Sequence, residues 1–285
     1  DINFIRLYNG YLNMLLVNSW YDFDKKSCYK SSMATLYGCC LIVFKMTWIT
    51  YLITASTNFN YNQILLPSQF VTVLPTVFIP PVLTLLTMIK SVFIDSNQWR
   101  LLYKNFQLLD TRLQNTGKKE FKLWKNFYVG CVIRHVVVAL FLLFSAYIWA
   151  NGLNVSLVQV IFTSSIIDSY YEFVLFHVIR TFIEVIKSRH KDINQKLIYF
   201  STKDHSIQKL KSLAGDYRIL CESTKLFNQI FGYQFVLIIL HCGVSLVTIP
   251  NNCYVIVFSS DGGGLSYYDF VNDVCLLIYT MVRFK

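Results

Sequence analysis

The sequence predicts an all-α protein, a polytopic bundle of transmembrane helices with its N-terminus in the cytoplasm. Three observations predict it. Of 285 residues, 54% are hydrophobic and only 15% charged, with a mean hydropathy of +0.44, outside the mix of a soluble domain. The apolar residues gather into six long runs. The Lys and Arg residues gather into alternate connections between those runs. Disorder and collagen-like character are excluded by the 16% aromatic content and by just 11 Gly and 5 Pro.

The runs fall near 34–54, 68–94, 128–150, 155–179 and 229–249, with a weaker one near 264–282. Each has about 20 residues or more, enough at about 1.5 Å per residue to cross a hydrocarbon layer of about 30 Å. Asp269, Asn272 and Asp273 interrupt the sixth, and the fifth can equally be extended past Pro250 through Cys253 to Phe258. The domain plan is therefore a cytoplasmic segment over 1–33, spans one to four over 34–179 with a cytoplasmic loop at 95–127, a cytoplasmic helical segment over 180–228, and spans five and six over 229–285.

Charge sets the orientation, because Lys and Arg near span ends are retained in the cytoplasm. Residues 1–33 carry Arg6, Lys25, Lys26 and Lys30, and 95–127 carries Arg100, Lys104, Arg112, Lys118, Lys119, Lys122 and Lys125. Ten more lie between Arg180 and Lys225, whereas 55–67, 151–154 and 250–263 contain none. The net charge of +10 is thus a retention signal, and no nucleic-acid partner is expected.

Before the first run, Phe4, Leu7, Tyr8, Tyr11, Leu12, Leu15 and Leu16 recur at helical spacing and predict a short helix lying on the inner membrane surface or against the bundle. The chain opens at Asp1 with no cleavable signal, and further sequence is expected ahead of it. Pro75 and Pro80-Pro81 predict a kinked or broken second span. Val155 to Lys187 holds no Pro or Gly over 33 residues, about 50 Å of helix, so the fourth helix must project inward beyond the bilayer. Ile207, Leu210, Leu213, Tyr217, Leu220, Thr224 and Phe227 then form a stripe that needs a partner.

Ionisable residues at lipid depth are costly and pair or face a polar cavity. Arg134 lies about 10 Å into the third span, and Asp168, with Glu172 one turn on, about 20 Å into the oppositely directed fourth, so the depths match and predict an Arg134 pair with Asp168 or Glu172. Lys45 is a further cation, at mid-span in the first run, for which the sequence names no partner.

Little points to covalent chemistry. Of eight cysteines, Cys39, Cys40, Cys131, Cys242 and Cys275 fall in or beside spans, Cys28 and Cys221 on the reducing side, and Cys253 outside. There is no C-x-x-C, and Cys131 and His135 lack a repeated ligand spacing, so no metal is expected. The Gly262–Gly264 run has no following Lys and reads as a turn, not a phosphate loop. Asn154-Val155-Ser156 fits a glycosylation acceptor in a loop too short for modification. No nucleophile, base and orienting acid meet at reactive spacing; neither enzyme activity nor a cofactor is expected.

A local signature resembles a known family. Arg189, Ile193-Asn194 and Leu197, followed by Tyr217, Leu220-Cys221, Asn228, Phe231-Gly232 and the apolar run from Phe235, are similar to the segment flanking the fifth span in insect gustatory receptors, relatives of the insect odorant receptors. The resemblance implies seven spans, six of them present in a fragment lacking the last. It further implies a ligand-gated cation channel of the plasma membrane of chemosensory neurons, a homo- or hetero-tetramer whose projecting helices form a central anchor, detecting a small-molecule tastant. The ligand pocket would open outward between spans two to six; by depth, its candidates are Gln69, Phe70, Tyr147, Trp149, Thr163, Ser164, His241, Tyr268 and Asp269. At each, interfacial anchoring or packing in the lipid bilayer is the competing role.

Two alternatives stay open. A G-protein-coupled chemoreceptor would place the N-terminus outside and carry Asp-Arg-Tyr and Asn-Pro-x-x-Tyr signatures that are missing here. A secondary transporter would suit Pro-interrupted spans and buried charge but calls for an internal repeat, which is not evident.

Overall fold

The computed structural model describes residues 9–23, 27–28, 32–58, 67–113, 120–153, 156–163, 166–203 and 207–258. They are helical almost throughout. A helical turn at 9–14 leads to the two-residue strands β1 (Tyr21–Asp22) and β2 (Ser27–Cys28), paired antiparallel with Tyr21 opposite Cys28. The helices follow as α1 (Ser32–Asn58), α2 (Pro67–Ile89) with a π-turn at Lys90–Ile94, α3 (Ser96–Leu113), α4 (Glu120–Leu153), α5 (Leu157–Thr163), α6 (Ile166–Lys203) and α7 (Ile207–Phe258).

Among the described residues, three stretches are long and apolar enough to cross a membrane: Ser32–Tyr51, Val129–Ile148 and Ile207–Thr248. A fourth arises if Phe78–Ile94 and Ser96–Leu113, bent by 80°, count as one. The first, third and fifth expected spans coincide with the three; the second shares only Phe78–Ile94 with the bent pair, whose other half falls in the expected loop 95–127. Of the fourth expected run, 155–179, the described residues show α5 and the first part of α6, and neither helix is among these candidates. The sixth run lies outside the described residues.

The proline-rich second span differs from expectation. Helix α2 passes Pro75, Pro80 and Pro81 with no break in its assignment, and the Thr84 hydroxyl donates to the Pro80 carbonyl at 2.9 Å, adding a bond where proline chemistry removes donors. The irregularity comes ten residues later, in the π-turn and at Asp95. The expected extension of the fifth span is also resolved: α7 runs through Pro250 to Phe258.

The chain divides into two compact units. The first comprises Asp1–Gly38, Thr87–Cys131 and Leu175–Tyr233. Its core is aromatic: Trp99, Tyr103 and Phe106 of α3 meet Phe182 of α6 and Phe231 of α7, with Trp99 edge-on to Phe231 at 5.3 Å and to Phe182 at 5.7 Å. Such pairs add about 0.5–1.5 kcal/mol beyond the area they bury. The α6–α7 contacts run in opposite order, Phe200 with Lys209, His190 with Tyr217, Phe182 with Phe227, so the two helices are antiparallel. The expected stripe on α7 is half used: Leu213, Leu220 and Phe227 are buried, while Ile207, Leu210 and Tyr217 are exposed.

The N-terminal turn docks into this unit. It ends where the Val17 N–H bonds the Leu12 carbonyl at 3.0 Å and the Leu16 N–H bonds the Asn13 carbonyl at 3.1 Å, a Schellman pattern that places Leu16 at φ 53 where glycine is usual. Left-handed backbone costs a leucine about 1–2 kcal/mol; complete burial of Leu16, with Leu12 and Val17 beside it, offsets that. Asn18 donates to Asn9 and to the Tyr103 hydroxyl, and Ser19 to the Ser91 carbonyl at 2.7 Å. Of the two sites expected for this helix, the described part takes the one against protein.

The second unit comprises Cys39–Leu86, Val132–Val174 and Gln234–Lys285. Small residues bring its helices together: Ala146 and Ala150 of α4 pack with Val160 of α5, flanked by Ile161 and Ile166. One side of α4 is apolar and open, with Val136, Val137, Leu140, Leu143 and Phe144 exposed, a face that requires lipid or protein cover. On α1, Thr47, Thr50 and Thr54 return their hydroxyls to carbonyls four residues back at 2.9–3.0 Å, which lets polar residues sit on an exposed face of an apolar helix.

Candidate functional site

The polar centre of the second unit is a buried charge cluster from three helices. Asp168 and Glu172 are one turn apart on α6, at 1% and 0% exposure. Two carboxylates so placed repel each other and cannot both stay ionised in an apolar surrounding without separate partners. Each has one. Lys45 of α1 is ion-paired to Asp168. His241 of α7 presents Nδ1 to both oxygens of Glu172, at 2.8 and 3.0 Å. The His241 tautomer sets whether Nδ1 donates to the Glu172 carboxylate or accepts from it. A fourth helix adds to the same stretch of α6: His135 Nδ1 of α4 meets the Tyr170 hydroxyl at 3.1 Å, and its ring stands edge-on to Phe173.

This corrects the expected pairing. Asp168 is matched by Lys45 and Glu172 by His241; Arg134 lies exposed on α4. Depth along a helix axis does not fix the direction a side chain faces, and Arg134 follows Ile133 and precedes Val136 and Val137 on a run of exposed positions. Lys45, for which the sequence named no partner, is the cation that matters. The apolar role read for Cys131 is also incomplete: within the first unit its sulfur and a ring nitrogen of His177 come within 4.8 Å.

Of the depth-ranked pocket residues whose side chains are described, His241 and Tyr147, the structure brings His241 into the cluster. Tyr147 is exposed on α4. The side chains of Gln69, Phe70, Trp149 and Thr163, and residues Ser164, Tyr268 and Asp269, lie outside the described residues. Gln234, two turns before His241 on α7, is buried with its Oε1 unpartnered, a polar position that the sequence reading passed over.

The signature residues of 189–232 fall in the first unit and form a second set of contacts. Arg189 is buried and paired with Asp110 of α3 through Nη2, while Nη1 reaches Asp192 at 3.3 Å. Arg112 of α3 reaches Asp216 of α7 at 3.0 Å. Leu220 and Phe231 are core residues; Asn194, Cys221, Asn228 and Gly232 are exposed; and Tyr217 is exposed with its ring against His190. Within the signature, Arg189, Ile193, Leu220 and Phe231 are thus the residues that serve packing and ion pairing in this unit.

Long apolar helices with exposed apolar faces, tied by buried ion pairs, define a helical membrane protein. The chain belongs to the 7tm chemosensory receptor family, whose model matches residues 5–284. It is a family of receptors, and a chemoreceptor role follows from membership. No curated protein matches the chain.

Proposed function

We propose that the protein is a gustatory receptor, one subunit of a tetrameric ligand-gated cation channel in the plasma membrane of chemosensory neurons, which detects small-molecule tastants and directs acceptance or avoidance. The observation that carries the reading is the family match over residues 5–284. The gustatory assignment within it draws on Arg189, Ile193-Asn194, Leu220-Cys221 and Asn228-x-x-Phe231-Gly232. A cytoplasmic N-terminus is supported by the one-sided Lys and Arg connections. Immersion of the second unit in lipid is supported by its scarcity of cations: Lys45, Arg134, Arg283 and Lys285 are the only Lys or Arg within its ranges.

We assign the tastant site to the second unit, where the buried polar cluster supplies the few oriented groups that ligand recognition uses. His241, with Glu172 behind it, is the residue proposed to meet ligand, along with Gln69, Phe70, Tyr147, Trp149, Thr163, Ser164, Tyr268 and Asp269. The test is expression of the full chain, alone and with other gustatory subunits, under voltage clamp during application of sugars, bitter compounds and amino acids. A tastant-evoked current carried by external cations, with an N-terminal tag reached by antibody only after permeabilisation, supports the channel. A tag labelled on intact cells, or a response that survives cation removal and needs a G protein, overturns it in favour of a coupled receptor.

A further inference from the structure

Where the N-terminal turn meets the bend between α2 and α3, the first unit holds a closed circuit of contacts. The bend is an elbow, made of the π-turn Lys90–Ile94 and Asp95, through which the chain turns by 80° into α3. Lys90 ties the elbow to α7 through the Gln229 and Ile230 carbonyls at 2.6 and 3.0 Å, and its ammonium also lies 3.3 Å from Asp95 Oδ2. The circuit starts at Asn18, whose amide donates to the Tyr103 hydroxyl at 3.1 Å. The Tyr103 ring stacks on Trp99 at 5.3 Å, and the Trp99 backbone N–H donates to the Asp95 carbonyl at 2.9 Å. It closes through Ser91 in the same elbow, whose carbonyl accepts from the hydroxyl of Ser19, the neighbour of Asn18, at 2.7 Å. Asn18 also donates to Asn9 at 2.6 Å, and Asn13 follows one helical turn after Asn9.

Around this circuit five side-chain atoms have no hydrogen-bond partner in the protein: Asn13 Oδ1, Asn18 Oδ1, Ser91 Oγ, Asp95 Oδ1 and Trp99 Nε1. Their residues are 8%, 0%, 4%, 2% and 0% exposed, out of reach of bulk solvent. Left dry, the five would together cost an amount comparable with the stability of a whole domain. The set is also unbalanced. Three of the oxygens only accept, the indole N–H only donates, and the serine hydroxyl does both. Were the indole and the hydroxyl each to find an oxygen, a third would still lack a donor. Charge narrows the choice of what completes the set. A metal cation would stand against the Lys90 ammonium already held by the same carboxylate, and an anion would face oxygens that repel it. A small neutral molecule rich in donors is left.

We propose that this seam is a hydration site, in which ordered water molecules bridge Asn13, Asn18, Ser91, Asp95 and Trp99 and so join the N-terminal turn to the elbow. A buried water makes about three hydrogen bonds, so about two molecules serve the five atoms. Two waters bring four donors, enough for the three acceptor oxygens and the hydroxyl, and their own oxygens accept from the indole. The site gives a reason for asparagine, serine and aspartate at positions where burial is nearly complete and an apolar side chain would otherwise be expected. It is independent of the ligand cluster in the second unit.

The test is cryo-electron microscopy of the full chain in lipid nanodiscs, at a resolution that shows ordered water, paired with radiolytic hydroxyl labelling read by mass spectrometry. Density should stand within about 2.7–3.2 Å of Asn18 Oδ1, Ser91 Oγ and Asp95 Oδ1. Trp99, at 0% exposure, should still be oxidised, because radicals form from the water held at its Nε1. Ser91→Ala removes one anchor of that water and should lower Trp99 oxidation at least about threefold. Asn13→Leu, on the other side of the seam, should do the same and serves if the first variant fails to fold. A seam in which the five atoms turn to one another with no density between them overturns the proposal, as does Trp99 oxidation unchanged in both variants. So does density ringed by oxygens at about 2.3–2.6 Å, the spacing of a hard cation. Neither measurement uses tastant or current, so neither depends on the gustatory assignment.

Discussion

Replacing Lys45 by Met tests the charge cluster at its most exacting point. The substitution keeps the length and apolar stem of the side chain and removes only the ammonium, leaving Asp168, 1% exposed, without its counterion. Removing one partner of a buried pair costs about 3–5 kcal/mol, because the remaining charge is uncompensated. The reverse change, Asp168→Asn, should cost less, about 2 kcal/mol, since a lysine on a four-carbon stem can turn its head toward polar surroundings whereas a short aspartate cannot. Replacing both, Lys45→Met with Asp168→Leu, removes the charge and its requirement together and should return to within about 1 kcal/mol of the wild type. The assay is thermal unfolding in detergent followed by size-exclusion fluorescence. At about 2–4 °C per kcal/mol, the order should be a loss of about 10 °C for Lys45→Met, about 5 °C for Asp168→Asn and little for the double variant. A melting point for Lys45→Met within about 2 °C of wild type, or a double variant worse than both singles, refutes the reasoning.

Three further outcomes follow from single contacts. A Cβ added at Gly38 would stand 2.7 Å from Val92 Cγ2, and a β-branched neighbour has little rotamer freedom to yield, so Gly38→Ala should lower stability by about 1–3 kcal/mol and Gly38→Ala with Val92→Ala should recover part of it in the same melting assay. Arg189 serves Asp110 and Asp192 with different nitrogens, a fork that one ammonium cannot reproduce, so Arg189→Lys should cost about 1–2 kcal/mol and Arg189→Met about 3–5 kcal/mol, read as melting-point losses. The Asp95 carboxyl is raised from 3.8 to about 6, so the folded protein binds a proton more tightly than the unfolded chain. Its stabilisation is complete below the unfolded value and is lost as pH rises through about 6, a difference on the order of 3 kcal/mol. Asp95→Asn should flatten the melting-point profile across that window, and an unchanged slope would place the titrating group elsewhere.

The helices were legible in the sequence because hydropathy and helical period are properties of single segments. The runs at 34–54, 128–150 and 229–249 each find their helix, and the expected helix continuing past 179 is met by α6, which runs to Lys203. The stripe from Ile207 to Phe227 does continue into the fifth span, as one helix, α7. Pairings were less legible, because they depend on the rotation of each helix about its axis. Arg134 and Lys45 both fall inside long apolar runs, and composition treats them alike; what separates them is that Arg134 is exposed and Lys45 buried. The Schellman turn at Leu16 carried no glycine to announce it, and the π-turn at Lys90–Ile94 left no composition signal, since one extra residue per turn changes hydrogen bonding without changing hydropathy.

The buried pairs also account for how apolar helices acquire a unique register. Between two helices surrounded by lipid, sliding by one turn exchanges one apolar contact for another and changes the energy little, because the hydrocarbon is as apolar as the side chains. A charge pair is different, since the same slide leaves two ions unmatched at several kcal/mol. In the second unit, Lys45–Asp168 fixes α1 against α6, and Glu172–His241 fixes α6 against α7. In the first unit, Arg189–Asp110 fixes α6 against α3, Arg112–Asp216 fixes α3 against α7, and Lys90 fixes the elbow against α7. In each unit α6 and α7 are held by charged or hydrogen-bonded ties to other elements, and none of the five ties named is within one helix. Register is therefore carried by a few ionisable residues, while the apolar majority sets only which elements are helices. It follows that substitutions along the exposed face of α4, such as Leu140→Val, should leave thermal stability within about 0.5 kcal/mol of wild type.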